Sequence, residues 1–326
     1  MNHSLHLIAA GMMLAAALPT ARAAANFPTQ PVRFVVTTAP GGGLDTFARL
    51  LASELAPRAG QQVIVENRPG AGTTIGTAAV ARAKPDGYTV LLNTAAFAIG
   101  PAIYQKLPYD PLRDFAPITM AVFTPNLMVV HPSVPVKSVR EMIALAKASA
   151  GRGDPVLYGS GGNGTNGHLA VELFLSMAKL RMTHVPYKSG SLGVIGLLGG
   201  EVAMMTDSMS SLMPHVRPGR LRALGVSSAR RAAAAPDIPT IAEAGVPGYE
   251  SVQWYGLFAP AGTPQEILAW LHREAAAILR ATNVKERLAA DGLEVVANSP
   301  EEFAASIKAD IAKWTKVVKA IGMQLM

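Results

Sequence analysis

Two glycine-rich stretches carry the residues best placed to do chemistry. Ala39-Pro40-Gly41-Gly42-Gly43-Leu44-Asp45 and Gly159-Ser160-Gly161-Gly162-Asn163-Gly164-Thr165 each stand between a strand-like run and an amphipathic pattern. Glycines let backbone N–H groups approach a ligand closely, and the unpaired N–H groups of a first helical turn add partial positive charge. Each stretch is therefore suited to an anion. A tight turn capped by Asp45, or by Ser160 and Thr165, is the plainer reading of the same residues.

Neither stretch is a nucleotide loop. The dinucleotide fingerprint would need a third glycine where Thr46 stands, and no Gly-Lys-Ser/Thr ending follows. Gly159 and Gly164 have P-loop spacing, but Thr165 occupies the lysine position. A serine-hydrolase elbow around Ser160 would need glycine at Tyr158, and no base for it is assignable from sequence. A small carboxylate remains, with the Ser160 and Thr165 hydroxyls as donors. A hydrolase using Ser160 is the weaker alternative.

Other candidates are single residues. Asp207 follows the strand-like run Glu201 to Thr206 and either receives an ammonium or hydroxyl from a ligand or caps the helix from Ser208. His131, His168, His184, His215 and His272 are isolated and without metal-ligand spacing, so neither metal nor cofactor is expected; His168 reads as a capping or packing residue. Gln253-Trp254-Tyr255 reads as packing where the chain crosses between lobes.

Composition narrows the class. With 326 residues and 50% hydrophobic content the chain can bury real cores. The net charge of +7 is scattered and aromatics are only 6%, which argues against nucleic acid and mildly favours small anions. The absence of cysteine excludes disulfides and thiol chemistry. Residues 1–25, an apolar run from Leu7 to Leu18 followed by Pro19 and small residues, read as a secretory signal peptide.

These candidates must be positioned by alternating elements. Val32 to Val36, a helix from Leu44 to Leu55, Val63 to Val65, a helix near Ile75 to Ala83, and Thr89 to Leu92 make a β-α-β-α-β beginning. A turn-rich stretch from Pro108 to Pro117 precedes a strand from Leu127 to Val130 and a helix from Ser138 to Ala148. The second glycine stretch follows Val156 to Tyr158 and leads a helix through Leu169 and Phe174. A strand at Val252 to Phe258 then enters a mostly helical end, where Thr263 is placed to cap a helix at Pro264. This order predicts an α/β protein with mostly parallel sheets flanked by helices. Two proline-marked crossings suit a two-lobed form, with 26–124 and 252–326 in one lobe and 125–251 in the other. A single large sheet is the other arrangement open to this pattern.

Several motifs then occur in one order: Ala39-Pro40-Gly41-Gly42-Gly43-x-Asp45, Glu66-Asn67-Arg68-Pro69-Gly70-Ala71-Gly72, Pro85-Asp86-Gly87-Tyr88-Thr89 and Leu107-Pro108-Tyr109-Asp110-Pro111. His184-Val185-Pro186-Tyr187-Lys188, Leu197-Leu198-Gly199-Gly200, Pro236-Asp237-Ile238-Pro239-Thr240 and Ala259-Pro260-Ala261-Gly262-Thr263-Pro264 continue it. Together they resemble the Bug family of periplasmic solute receptors, the binding subunits of tripartite tricarboxylate transporters, over essentially all of the mature chain.

The resemblance implies a type II-like periplasmic binding-protein fold, a monomer in the periplasm that closes on a small organic carboxylate and serves membrane transporter subunits, or alternatively a sensor. It implies no enzyme activity. It places Thr38, Ala39, Gly41, Gly42, Gly43 and Asp45 in one jaw and Ser160, Gly161, Asn163, Gly164 and Thr165 in the other, with Asp207 at the variable end of the ligand. Thr37-Thr38 stands where the family commonly has Pro-Phe, Gly196 where it often has aspartate, and Ser189 where it has glycine. The threonines are expected to make that side of the pocket roomier or more polar.

Overall fold

The structure is a computed structural model that describes residues 27–320, with Gly322 and Leu325. The expected signal peptide lies outside the described residues. Two three-stranded parallel units form first: β1 (Val32–Val36) between β2 (Val63–Asn67) and β3 (Thr89–Thr94), and β5 (Leu157–Ser160) between β6 (Thr183–Pro186) and β7 (Met204–Ser208). The long strand β4 (Phe115–Val130) joins them. Up to Pro125 it pairs antiparallel with β9 (Val252–Pro260), which lies against β3; from Asn126 it pairs antiparallel with β7. The spatial order is β2-β1-β3-β9-β4-β7-β5-β6, with β8 (Arg222–Val226) and β10 (Glu294–Val295) also on β4. We call the two halves of this curled sheet the first and second lobes. Among the named strands, parallel pairing is confined to the outer units, because the chain crosses between halves on strands that run back.

Apolar residues on both faces explain why the strands read as continuous runs. Phe34, Val36 and Leu92 pack on one face against Leu44, Phe47, Leu51 and Leu55 of α1 (Gly43–Ala59), and Val35 and Leu91 on the other against Phe97 and Phe258. In the second lobe, Met128 and Val130 meet Tyr158 and Phe174, while Leu127 and Val129 meet Met205 and Leu212. Each such buried side chain contributes about 2–3 kcal/mol of transfer free energy.

Three differences from the sequence pattern have local causes. Strand β4 begins at Phe115, although Pro117 and Pro125 lie in it; register shifts after Pro117 and Met120 absorb the disruption. Helix α3 (Ala96–Ile103) escaped the periodicity because it is buried nearly all round and contains Gly100 and Pro101. Thr263 does not cap the next helix: its Oγ donates to Pro260 O at 2.8 Å, and Pro264 takes the cap position of α8 (Gln265–Arg280).

Candidate functional site

Four helices aim their amino termini at one cleft between the lobes. Gly42 to Leu44 open α1, Thr165 to Gly167 open α5 (Asn166–Ala178), Ser189 to Ser191 open α6 (Gly190–Leu198), and Ser208 and Ser211 open α7 (Met209–Val216). Thr38, Ala39, Thr73, Thr94, Gly161, Asp207, Gln253 and Tyr255 complete the wall around about 580 Å³, its mouth included. No lysine, arginine or histidine is among these lining residues. Each helix end carries roughly half a positive charge on its free N–H groups, so the wall is suited to an anion through dipoles rather than cationic side chains.

The lobes touch across this cleft. Gly43 N–H donates to Ser211 Oγ at 3.3 Å, and the hydroxyls of Ser208 and Ser211 are 2.8 Å apart. A methyl group at Gly43 would stand 2.4 Å from Ser210 Oγ and 2.5 Å from Tyr255 Oη, so any side chain there forces these hydroxyls aside and pushes the lobes apart. Asp207 is the carboxylate of the wall. Burial pushes it up to about 6, although Ser208 N–H donates to it at 2.6 Å.

Of the residues expected in the jaws, Thr38, Ala39, Gly42, Gly43, Gly161, Thr165 and Asp207 line the cleft. Gly41, Asp45, Ser160, Asn163 and Gly164 do not. Asp45 instead ties the first loop. Its carboxylate accepts from Gly41 N–H at 2.9 Å, Asn67 Nδ2 at 2.9 Å and Arg49 Nε at 3.1 Å, with Asp45 only 3% exposed. Burial alone would raise its pKa, but these donors together hold it below the ordinary value.

The second loop rests on a histidine stack. His168 and His184 lie face to face with ring centroids 4.0 Å apart, and Tyr158 stacks on His184 at 4.9 Å. Gly164 N–H donates to His168 Nδ1 at 3.1 Å, and Ser160 Oγ lies 2.7 Å from His184 Nε2. Burial lowers His168 to about 3, with His184 adding to the effect, and lowers His184 to about 4. Glu172 Oε1 is 4.0 Å from His168 Nε2 and already accepts the Tyr158 hydroxyl. The Ser160 and His184 pair is no hydrolytic dyad: the serine is fully buried away from the cleft, and a histidine near 4 is a weak base at neutral pH.

Two departures from the family pattern sit away from the cleft wall. Thr37 does not widen the pocket; its hydroxyl donates to buried Asn93 Oδ1 at 2.9 Å. Gly196 leaves space for Tyr187, whose hydroxyl would stand 2.2 Å from a methyl group there. Ser189 does line the wall, and caps α6 by accepting from Leu192 N–H at 3.3 Å.

Sequence reasoning missed Thr73, Thr94, Ser191, Ser208, Ser211, Gln253 and Tyr255. For Gln253 and Tyr255 a signal existed, since alternation on a strand puts both on the face opposite Trp254. Trp254 packs edge-on against Phe303, as a buried residue should. Among the described residues no cluster of acidic and histidine side chains is arranged to hold a metal, and no helix is long and apolar enough to cross a membrane.

Known proteins share this architecture. The family described as tripartite tricarboxylate transporter family receptor matches residues 47–323. Protein BugT of Bordetella pertussis is 35% identical over 328 residues, covering 100% of both chains. A Rhodopseudomonas palustris protein solved with adipate superposes with a TM-score of 0.88 at 36% identity, covering 92% of this chain and 100% of that one. MatC from Rhodopseudomonas palustris, solved with bound malate, gives 0.85 at 31% identity over 90% of this chain and 100% of its own. This chain belongs to the tripartite tricarboxylate transporter receptor family, and it is a solute-binding protein rather than an enzyme.

Proposed function

We propose that the protein captures a small organic carboxylate in the periplasm and presents it to the membrane subunits of a tripartite tricarboxylate transporter. The observation that carries this reading is the convergence of four helix amino termini on a cleft whose lining has no cationic side chain. Adipate and malate in the two related structures fit the same chemistry. A ligand bridging the lobes stabilises the closed form, with motion about the two places where the chain passes between sheet halves, Pro125 to Asn126 and Ser251 to Val252. A thermal-shift screen of mono-, di- and tricarboxylates tests it. At about 100 times Kd, linkage gives about 2.7 kcal/mol, a shift of several degrees in a protein of this size. If correctly folded protein shows no shift across that panel, the reading fails. Uptake of the identified acid by cells lacking the protein then separates transport from sensing: normal uptake with altered gene expression favours a sensor.

A further inference from the structure

Four consecutive residues beside the cleft, Gly70, Ala71, Gly72 and Thr73, have φ of 123°, 46°, 59° and 82°. Glycine tolerates such angles, whereas a β-branched threonine in that region is an outlier. Thr73 also holds the cap position of α2 (Thr74–Ala81), where a threonine hydroxyl ordinarily accepts an amide proton of the first turn. Here it makes no such bond. Its Oγ is buried without any partner, and the residue lines the cleft.

The backbone at Thr73 is held from behind. Thr37 Oγ donates to Asn93 Oδ1, Asn93 Nδ2 donates to Thr77 Oγ at 2.8 Å, and Thr77 Oγ donates to Thr73 O at 2.8 Å. All three supporting side chains are buried. A strained conformation persists where surrounding structure over-determines it, and such residues gather at binding sites. Thr38 supplies an independent second observation: its Oγ is likewise buried and without a partner, and it lines the same cleft. Buried hydroxyls without partners are unfavourable, and at the wall of a cleft a ligand oxygen would satisfy them.

We infer that Thr73 and Thr38 are specificity-determining residues whose hydroxyls bond an oxygen substituent of the ligand, which makes oxygen-substituted carboxylates, hydroxy or oxo acids, the preferred class. This rests on the carboxylate-receptor reading and refines it. Because a site built around hydrogen bonds leaves its own polar groups unpaired with an analogue that lacks the partner, discrimination runs against the unsubstituted acid.

Matched pairs test it by calorimetry: malate against succinate, and lactate against propionate, with wild type, Thr73→Gly and Thr38→Val. Wild type is expected to favour the oxygen-bearing member of a pair by about tenfold or more. In Thr73→Gly that ratio collapses toward one while the melting temperature of the unliganded protein rises, since glycine relieves the strain. Thr38→Val is expected to reduce the ratio as well. Absence of any preference in wild type overturns the inference, and so does a preference that both variants retain. If wild type binds no carboxylate at all, the receptor reading falls and takes this one with it.

Discussion

The two glycine loops flank one cleft but are fastened by opposite chemistry. In the first lobe a charged clamp does it: the Asp45 carboxylate gathers Gly41 N–H, Asn67 and Arg49. In the second lobe the fastening is neutral, with His168 accepting Gly164 N–H and His184 paired to Ser160 in a largely buried stack. An ionised carboxylate gains from donors that outweigh its desolvation, whereas a buried histidine without an anionic partner of its own stays uncharged. The loops are therefore expected to respond to acid in sequence, the second before the first.

The largest expected effect exposes that order. His168 and His184 have folded values of about 3 and about 4 against 6.5 in the unfolded chain. Below 6.5 the unfolded chain binds more protons, so their stabilisation is whole above that pH and falls as pH drops, by up to about 1.4 kcal/mol per pH unit for each. Asp207 has the opposite sign. Its folded value of about 6 lies above the ordinary 3.8, so between those values the folded chain holds the extra proton and one histidine is offset. Urea midpoints followed from neutral to acidic pH are expected to fall in wild type, less steeply in His184→Gln and more steeply in Asp207→Asn. A flat wild-type profile, or three parallel ones, breaks the contrast.

Next in size is the charged clamp itself. Asp45→Ala leaves Gly41 N–H and one of the two Asn67 amide hydrogens without an acceptor, the other staying on Thr38 O, and is expected to cost about 2 kcal/mol in urea unfolding at neutral pH. The pH dependence between about 6.5 and about 4 should survive this change, since the histidines hold the other loop. Loss of that dependence in Asp45→Ala would merge the two clamps into one.

The smallest effect compares a glycine from each loop. At Gly43 an added methyl group meets Ser210 and Tyr255 across the cleft, while at Gly161 it meets the Gly190 backbone N at 2.7 Å within the same lobe. Gly43→Ala is expected to weaken carboxylate binding about tenfold, about 1.4 kcal/mol, with unliganded stability retained. Gly161→Ala is expected to lower the melting temperature of the unliganded protein, because backbone cannot step aside. Calorimetry and thermal melts on both variants separate closure from folding.

Much of the fold was legible in local pattern. Apolar runs marked β1, β3 and β5, and the spacing of Leu44, Phe47, Leu51 and Leu55 marked α1. Elements hidden by their own composition were not. Pro117 and Pro125 disguised the first part of β4, and an all-round apolar surface disguised α3. At the site, both glycine loops were visible as anion sites, yet the facing of individual residues was not: Asp45 and Ser160 look like ligand groups in sequence but turn to fasten the loops. Thr73 did not stand out at all, because positive φ in a β-branched residue leaves no mark on sequence.

By itself, then, the sequence determined most strands and helices, and two loops able to bind an anion, since periodicity, glycines and capping residues act on near neighbours in the chain. Only the tertiary structure decided which of those residues share a wall. Gly43 meets Ser211 across 168 positions because β4 and β9 carry the chain from one half of the sheet to the other. Strand pairing at that range is set by the burial of whole faces, which no local pattern specifies.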